Sequence, residues 1–232
     1  MQNLPPAIVE TISILDPVSY ASIPAIPTLP DGFVYLDVVL PDITFDAKYA
    51  TDDNFTGGVV HGYNANRIVI SSAMCEPLAR AKSLAAQQGY TLLIWDAARP
   101  QRAVDHFVSW INRPEDGKTK SIHYPKLKKK QLLKVYIAKR SGHSRGCAVD
   151  LTLVDENGEM LDMGGIFDLM DKRSHHGAKG LTAQQTANRN TLKSIMDNAG
   201  FRAYDKEWWH YILRDEPFPD TYFDFSIEHT AP

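Results

Sequence analysis

The chain has 232 residues, enough for one sizeable domain or two small ones. Its hydrophobic fraction of 44% and charged fraction of 23% are typical of a globular protein, and its formal net charge of −3 argues against nucleic acid as the main partner. No apolar run approaches the length of a membrane span, so membrane insertion is not expected. The two cysteines do not form a disulfide framework or a Cys-x-x-Cys metal motif.

The N-terminal region differs from the rest of the chain in composition. Residues 1–30 contain six prolines and no lysine or arginine, so they lack the basic start and continuous apolar core of a secretory signal. We therefore predict a proline-rich arm over residues 1–41, a single folded domain over residues 42–232 and a cytoplasmic location. An exported protein from which a leader had been removed would have the same composition, and the sequence does not indicate an oligomeric state.

Strands and helices alternate beyond this arm. Strands are predicted at residues 33–40 and 67–70, and a helix at residues 74–88 that ends at Gly89. An apolar strand ends at Trp95, and Pro100 is well placed as the first residue of a helix whose apolar positions recur at i, i+3, i+4 and i+7.

The C-terminal half favours a mixed architecture. A helix begins near Thr182, where Gln185 completes a capping box, and ends at Gly200. Strands at residues 148–153 and 208–213 flank it at a separation of about fifty-five residues, which suits an antiparallel or mixed sheet with helices packed on it. We predict one α+β domain with a central, mainly antiparallel sheet flanked by helices.

Two short segments offer metal ligands. His143 and Asp150 lie in the first segment, and His210 lies in the second together with Glu207. Two imidazoles and one carboxylate suit zinc, and three protein ligands leave a fourth position open for water, as catalytic zinc sites do. Glu207, three residues before His210, is placed to reach that water without binding the metal. Each motif alone occurs by chance in many chains, and their joint occurrence is what favours a metallopeptidase.

Side-chain parity constrains both segments. Residues seven or three positions apart on a regular strand face opposite sides of the sheet, so His143 must lie on the approach to its strand. Glu207 and His210 require either a helical turn or a bulged strand start. We favour the bulged strand because residues 208–213 are rich in aromatic and branched side chains.

An arginine lies at the junction between the strand ending at Trp95 and the helix after it. A guanidinium at Arg99 is able to stabilise the oxyanion of a tetrahedral intermediate. The alternative is a surface arginine that only pairs with Asp96.

Six segments occur in the order of a known family. These are FDAKYATDDNFTG at 45–57, WDAARPQRAV at 95–104, SGHSRG at 141–146, MGGIFD at 163–168, RSHH at 173–176 and EWWHY at 207–211. Between about Asp42 and Phe225 the chain resembles the VanX-type D-alanyl-D-alanine dipeptidases, which are zinc enzymes of the D,D-peptidase and hedgehog-like fold. The resemblance implies that residues 42–232 are a catalytic domain that hydrolyses the dipeptide D-Ala-D-Ala to two D-alanines.

The resemblance also implies a role for each matched residue. One zinc ion per chain is bound by His143, Asp150 and His210. Glu207 is then the general acid/base that works with metal-activated water, and Arg99 steadies the tetrahedral intermediate.

The small dipeptide substrate is expected to contact three further residues. The resemblance places Tyr49, Ser141 and Asp168 in its pocket, with Asp168 and Tyr49 as candidates for binding the substrate ammonium. Ala98 replaces a tyrosine found in many members, so we expect a more open pocket wall beside Arg99.

Two alternative functions stay open at this stage. One is a broader D,D-carboxypeptidase or cell-wall peptidase that acts on longer stem peptides. The other is a zinc-binding recognition domain without catalysis, against which the presence of both Glu207 and Arg99 speaks. His175, His176 and Asp171 resemble a second metal cluster, but a structural role is favoured for them because neighbouring residues rarely face one ion.

Overall fold

The computed structural model describes residues 28–133 and 135–229. It contains a five-stranded sheet of order β2-β4-β5-β7-β6 and a two-stranded sheet of β1 and β3. The strands are β1 Phe33–Tyr35, β2 Thr44–Phe45, β3 Val69–Ser71, β4 Thr91–Asp96, β5 Ala148–Val154, β6 Phe201–Tyr204 and β7 Glu207–Leu213. The helices are α1 Leu36–Val39, α2 Cys75–Ala86, α3 Gln101–Asn112, α4 Lys120–His123, α5 Lys129–Leu132 and α6 Ala183–Ala199.

The five-stranded sheet is mainly antiparallel. Strand β2 is parallel to β4, whereas the β4–β5, β5–β7 and β6–β7 pairs are antiparallel. Helices α2 and α6 contact each other and pack against β4 and β6, respectively. The predicted α+β class, with one sheet flanked by helices, is therefore confirmed.

Strand β5 lies at the centre of the molecule. All seven of its residues are buried, as expected for a central strand that is covered on both faces. Val149, Leu151 and Leu153 are completely buried in the hydrophobic core. Asp150, at the alternate parity, is only 2% exposed and faces the cavity described below.

The predicted helix signals at the C-terminal half are present in the structure. The Thr182 hydroxyl accepts a hydrogen bond from the Gln185 amide at 3.1 Å, and the Gln185 side chain accepts one from the Thr182 amide at 3.0 Å. Gly200 ends α6 in the left-handed region at φ 104°. This capping box satisfies amides that would otherwise lack partners in the first turn of the helix.

The predicted strand at residues 33–40 is confirmed for residues 33–35 and is wrong for residues 36–40. The strand ends at Tyr35, and α1 follows directly. Strand β3 offers only three partner residues, so residues beyond Tyr35 have no strand to pair with. The chain instead turns, and Leu40 donates a backbone hydrogen bond to Leu36 at 2.8 Å.

The predicted domain boundary near residue 42 stays a prediction, because residues 1–27 lie outside the described residues. Residues 33–36 already belong to the packed domain, since Phe33, Tyr35 and Leu36 are buried. Within the described residues no helix is long and apolar enough to cross a bilayer.

Gly146 lies where the chain turns into β5. Its φ is 68°, and a Cβ at this position would come within 2.6 Å of the Phe33 ring. Both the left-handed backbone and the close ring therefore favour glycine here.

We expect Gly146→Ala to lower the free energy of unfolding by about 2–5 kcal/mol, because a left-handed alanine costs about 1–2 kcal/mol and overpacking adds about 1–3 kcal/mol. Urea unfolding measures the loss. Gly158→Ala is the matched control, since Gly158 has φ 84° but a Cβ there would meet no atom within 4 Å. It should lose only the backbone part, and equal losses for the two variants would exclude the steric argument.

Candidate active site

Two of the predicted metal ligands, Asp150 and His210, lie side by side on the neighbouring strands β5 and β7. Asp150 is the register partner of His210, and the His210 Nδ1 atom lies 2.9 Å from the Asp150 carboxylate. His143 belongs to a 3₁₀ turn that precedes β5, at residues His143–Arg145. Its Nε2 atom lies 3.1 Å from His210 Nδ1 and 3.3 Å from Asp150 Oδ2. The structure thus brings all three side chains together.

The hydrogen bonding of His143 prepares it to bind a metal. Its Nδ1 atom lies 2.6 Å from the Ala97 carbonyl, which can only accept, so Nδ1 carries the proton. The Nε2 lone pair then points toward Asp150 and His210. This is the partner arrangement that fixes the tautomer of metal-binding histidines.

The three ligand atoms fit one divalent ion. They lie within 4.8 Å of one another, and among the described residues no other His, Cys, Asp and Glu group of this kind occurs. In a tetrahedral zinc site with Zn–N bonds of about 2.0–2.1 Å, two ligand nitrogens are about 3.3 Å apart, close to the observed imidazole separation. His175, His176 and Asp171 do not form a second cluster.

Glu207 lies on the same side of the sheet as His210. Its Oε2 atom is 3.7 Å from His210 Nδ1, although the two residues are three positions apart. The β6–β7 register explains this: Ala203 pairs with Tyr211 while its neighbour Tyr204 pairs with Glu207. The irregular start of β7 agrees with the predicted bulge. Burial raises the pKa of Glu207 to about 7, with His210 opposing that rise.

The structure shows features of both alternatives considered for Arg99, the pair with Asp96 and a position in the cavity. Its Nε and Nη2 atoms lie 2.8 and 2.7 Å from Asp96 Oδ2, so it does pair with Asp96. The Arg99 side chain is only 12% exposed, however, and its Nη2 atom also lies 3.4 Å from Asp150 Oδ2. The guanidinium sits over the Tyr49 ring at 4.9 Å from its centroid and lines the cavity. It is a largely buried site residue and not a surface arginine.

Asp168 and Tyr49 meet across 119 positions of sequence. The Tyr49 hydroxyl donates to Asp168 Oδ2 at 2.9 Å. Asp168 has φ 57°, and within the described residues it is the only non-glycine residue with positive φ. Burial, followed by the charge of Asp150, raises the pKa of the Asp168 carboxyl well above its usual range. A buried carboxyl held in a rare backbone conformation is typical of a functional position.

Ser141 lies at the edge of the same cavity. Its hydroxyl accepts a hydrogen bond from the His143 amide at 3.2 Å, which ties it to the metal-ligand turn.

These side chains surround one cavity of about 270 Å³. All eight predicted site residues line it, namely Tyr49, Arg99, Ser141, His143, Asp150, Asp168, Glu207 and His210. Ala98 is 2% exposed and lies outside the lining, and the expected opening of the wall beside Arg99 relative to members with tyrosine stays a prediction. The volume is just below the range of about 300–1,000 Å³ for drug-sized ligands.

Sequence reasoning missed the central position of Asp96. This carboxylate accepts from the Tyr63 hydroxyl at 2.5 Å and lies 3.4 Å from His143 Nδ1, in addition to its pair with Arg99. The available signal was its place at the end of an apolar strand, directly before a loop. Side chains at such positions often hold functional residues in place.

A largely buried set of two imidazoles and one carboxylate, with a further carboxyl beside it in a small cavity, is the arrangement expected of a metallopeptidase. A family model described as "Peptidase_M15: D-ala-D-ala dipeptidase" matches residues 30–228. The chain belongs to this family.

Curated relatives agree with this assignment. A D-alanyl-D-alanine dipeptidase of Enterococcus faecium is 51% identical over 199 residues, which cover 85% of this chain and 98% of that protein. One of Streptomyces coelicolor is 53% identical over 197 residues, or 84% of this chain and 98% of that protein. One of Escherichia coli is 36% identical over 180 residues, or 78% of this chain and 83% of that protein.

We expect Asp168→Asn to stabilise the metal-free protein against urea unfolding at neutral pH, because burial raises the pKa of the Asp168 carboxyl well above its usual range. A carboxyl whose pKa rises on folding destabilises the fold once it is ionised, and asparagine removes that charge while tolerating the left-handed backbone. Urea unfolding in the presence of a chelator measures the gain.

The sign of the effect gives its pH dependence. Below the pKa of the unfolded chain, about 3.9, the carboxyl is neutral in both states, so the gain should vanish there. Asp52→Asn is the control, since Asp52 is exposed. A gain for Asp168→Asn that does not change with pH would contradict the electrostatic cause.

Proposed function

We propose that this protein hydrolyses the dipeptide D-Ala-D-Ala to two D-alanines with one zinc ion per chain. The observation that carries the proposal is the convergence of His143, Asp150 and His210 beside the carboxyl of Glu207. Support for the substrate comes from relatives named D-alanyl-D-alanine dipeptidases, of which this chain spans 98% at about half identity.

We assign the metal to the three converging side chains. His143 would bind through Nε2 and His210 through Nδ1, since these atoms face each other and Asp150. When bound, zinc supplies Lewis-acid activation of water and of the scissile carbonyl. Three protein ligands leave room for one further group, as hydrolysis requires.

Glu207 has the properties of the proton carrier. Peptide hydrolysis needs a group that accepts a proton from the attacking water and returns it to the leaving nitrogen. A carboxyl is able to do both near neutral pH when its pKa lies close to 7, and burial brings the pKa of Glu207 to about that value. Its position 3.7 Å from His210 places it beside the metal ligands without joining them.

Arg99 is the cation placed to meet negative charge on the substrate carbonyl. The ion pair with Asp96 and the contacts with Tyr49 and Phe107 hold the guanidinium in one position. A preoriented donor in a buried site stabilises a developing oxyanion more than a flexible one does, because it needs no reorganisation during the reaction.

The pocket around Asp168 suits the free amino terminus of a dipeptide. The Asp168 carboxylate is buried, and its hydrogen bond with Tyr49 leaves Oδ1 available for an ammonium group. Ser141, which precedes the turn that contains His143, adds a hydroxyl to the cavity. A capped or extended substrate would bring no ammonium to this carboxylate, and burying an unpaired charge is costly.

The first test separates metal binding from catalysis. We expect His210→Ala to lose both zinc and activity, because it removes one of three ligands. Glu207→Gln should keep zinc while the rate falls by a factor of roughly 100 to 10,000, the usual contribution of a general acid/base. Zinc content by atomic absorption and D-alanine release are measured on the same samples. His61→Ala is the control, because His61 is exposed and lies outside the cavity. Full zinc occupancy in His210→Ala would show that His210 is not a metal ligand.

The second test addresses the substrate. We expect D-Ala-D-Ala to be cleaved and N-acetyl-D-Ala-D-Ala to be cleaved at least roughly tenfold less efficiently, because the cap removes the charge that pairs with Asp168. A series from the dipeptide to the pentapeptide measures chain-length preference in parallel. Comparable turnover of capped and free dipeptides would favour the D,D-carboxypeptidase alternative.

A further inference from the structure

We propose that Arg140 binds the C-terminal carboxylate of the substrate and thereby makes the enzyme selective for dipeptides with a free acid terminus. This inference rests on the proposed function, because it concerns the second charge of the same zwitterionic dipeptide. Arg140 lines the cavity that contains the metal-ligand side chains, and it lies directly before Ser141.

The charges in the cavity leave one end of a zwitterionic dipeptide without an obvious partner. Asp168 is available for the ammonium group, but a carboxylate requires a cation or several donors. Burying it unpaired would cost several kcal/mol. The cavity wall must therefore supply a positive group or several hydrogen-bond donors if the dipeptide is bound as a zwitterion, and a positive group also balances the charge.

Three arginines line the cavity, and two of them are already paired. Arg99 pairs with Asp96 and Asp150. Arg145 donates from Nε and Nη2 to Glu216 at 3.0 and 2.8 Å. Within the part of the chain that the structure describes, Arg140 makes no ion pair with a carboxylate. It is the cavity cation that can accept a new carboxylate without giving one up.

The C-terminal tail holds Arg140 in position. The Arg140 guanidinium lies over the Tyr222 ring, 4.8 Å from its centroid, which is cation–π distance. Tyr222 is fixed in turn, because its hydroxyl accepts from Arg145 Nη1 at 3.2 Å and the amide of the next residue, Phe223, donates to the Ser144 carbonyl at 2.8 Å. Tyr222 is thus a positioning residue for Arg140.

A guanidinium held over an aromatic ring by a cation–π contact can still donate from its N–H groups to a carboxylate. These N–H groups match the two oxygens of a carboxylate, which lysine does not do equally well. Arg140 is exposed, so the interaction is weakened by water and salt. We therefore place its contribution at roughly tenfold in affinity, near the lower end for charge-assisted hydrogen bonds.

The test compares D-Ala-D-Ala with its C-terminal amide, which is isosteric but lacks the negative charge. Arg140→Ala should raise KM for the acid roughly tenfold with kcat changed less than about twofold, because it removes binding that is equal in ground and transition states. For the amide the same variant should leave KM within about twofold of wild type. If the amide turns over too slowly, its inhibition constant against D-Ala-D-Ala replaces KM.

Two further variants and one control sharpen the result. Arg140→Lys should recover part of the preference for the acid, and Tyr222→Leu should lose part of it. Tyr222→Phe should lose less than Tyr222→Leu, because the ring remains and only its hydrogen bond with Arg145 is removed. Lys139→Ala removes a neighbouring exposed cation that does not line the cavity, and it should behave as wild type.

The outcomes separate this inference from the function on which it rests. If Arg140→Ala raises KM equally for the acid and the amide, the residue is structural and the inference is wrong, while the dipeptidase proposal stands. If the wild-type enzyme binds the acid and the amide with equal affinity, the inference is likewise wrong and the dipeptidase proposal stands. If the wild-type enzyme with zinc cleaves no D-Ala-D-Ala, the proposed function falls and the carboxylate assignment falls with it.

Discussion

The register between β5 and β7 is the constraint on which the site depends. Because side chains alternate along a strand, Asp150 and His210 share one face only as long as these strands pair without a shift. A slip of one residue would place one of them on the opposite face. The burial of every residue of β5 prevents that slip, since it would exchange Leu151 for Asp150 in the core. Hydrophobic packing therefore fixes the relative positions of the candidate metal ligands Asp150 and His210.

The electrostatic balance of the site follows from the same arrangement. Four carboxyl groups, those of Asp96, Asp150, Asp168 and Glu207, lie around one largely buried arginine. Burial alone disfavours so much negative charge, which is why the pKa values of Asp168 and Glu207 both rise. A divalent ion at the three candidate ligand atoms would offset part of this charge, and the ammonium group of a bound dipeptide would offset more. The site is thus complementary to cations at two separate points.

Much of this site was accessible from the sequence, for identifiable reasons. The ligand segments are short, and the parity argument for Glu207 needed only the period of a strand. The place of Tyr49 and Asp168 in one pocket was accessible through family resemblance alone, because 119 residues separate them and neither lies in an α-helix or a strand. The end of β1 at Tyr35 was missed for a related reason: an apolar run does not reveal how long its partner strand is. The contact between Arg140 and Tyr222 could not be predicted from the sequence either, because it depends on where the C-terminal tail crosses the domain.

Asp96 shows why an arginine paired with a carboxylate is not thereby excluded from function. The β4–β5 register shifts between Ile94 and Asp96, so the bulge turns Asp96 toward its partner Asp150. From there one carboxylate holds Arg99 through its ion pair and accepts from the Tyr63 hydroxyl. The pairing that suggested a purely structural arginine is what keeps the guanidinium from moving. The structural interpretation of Arg99 and the proposed catalytic one are therefore compatible, because the ion pair with Asp96 that makes the guanidinium rigid also holds it in the cavity.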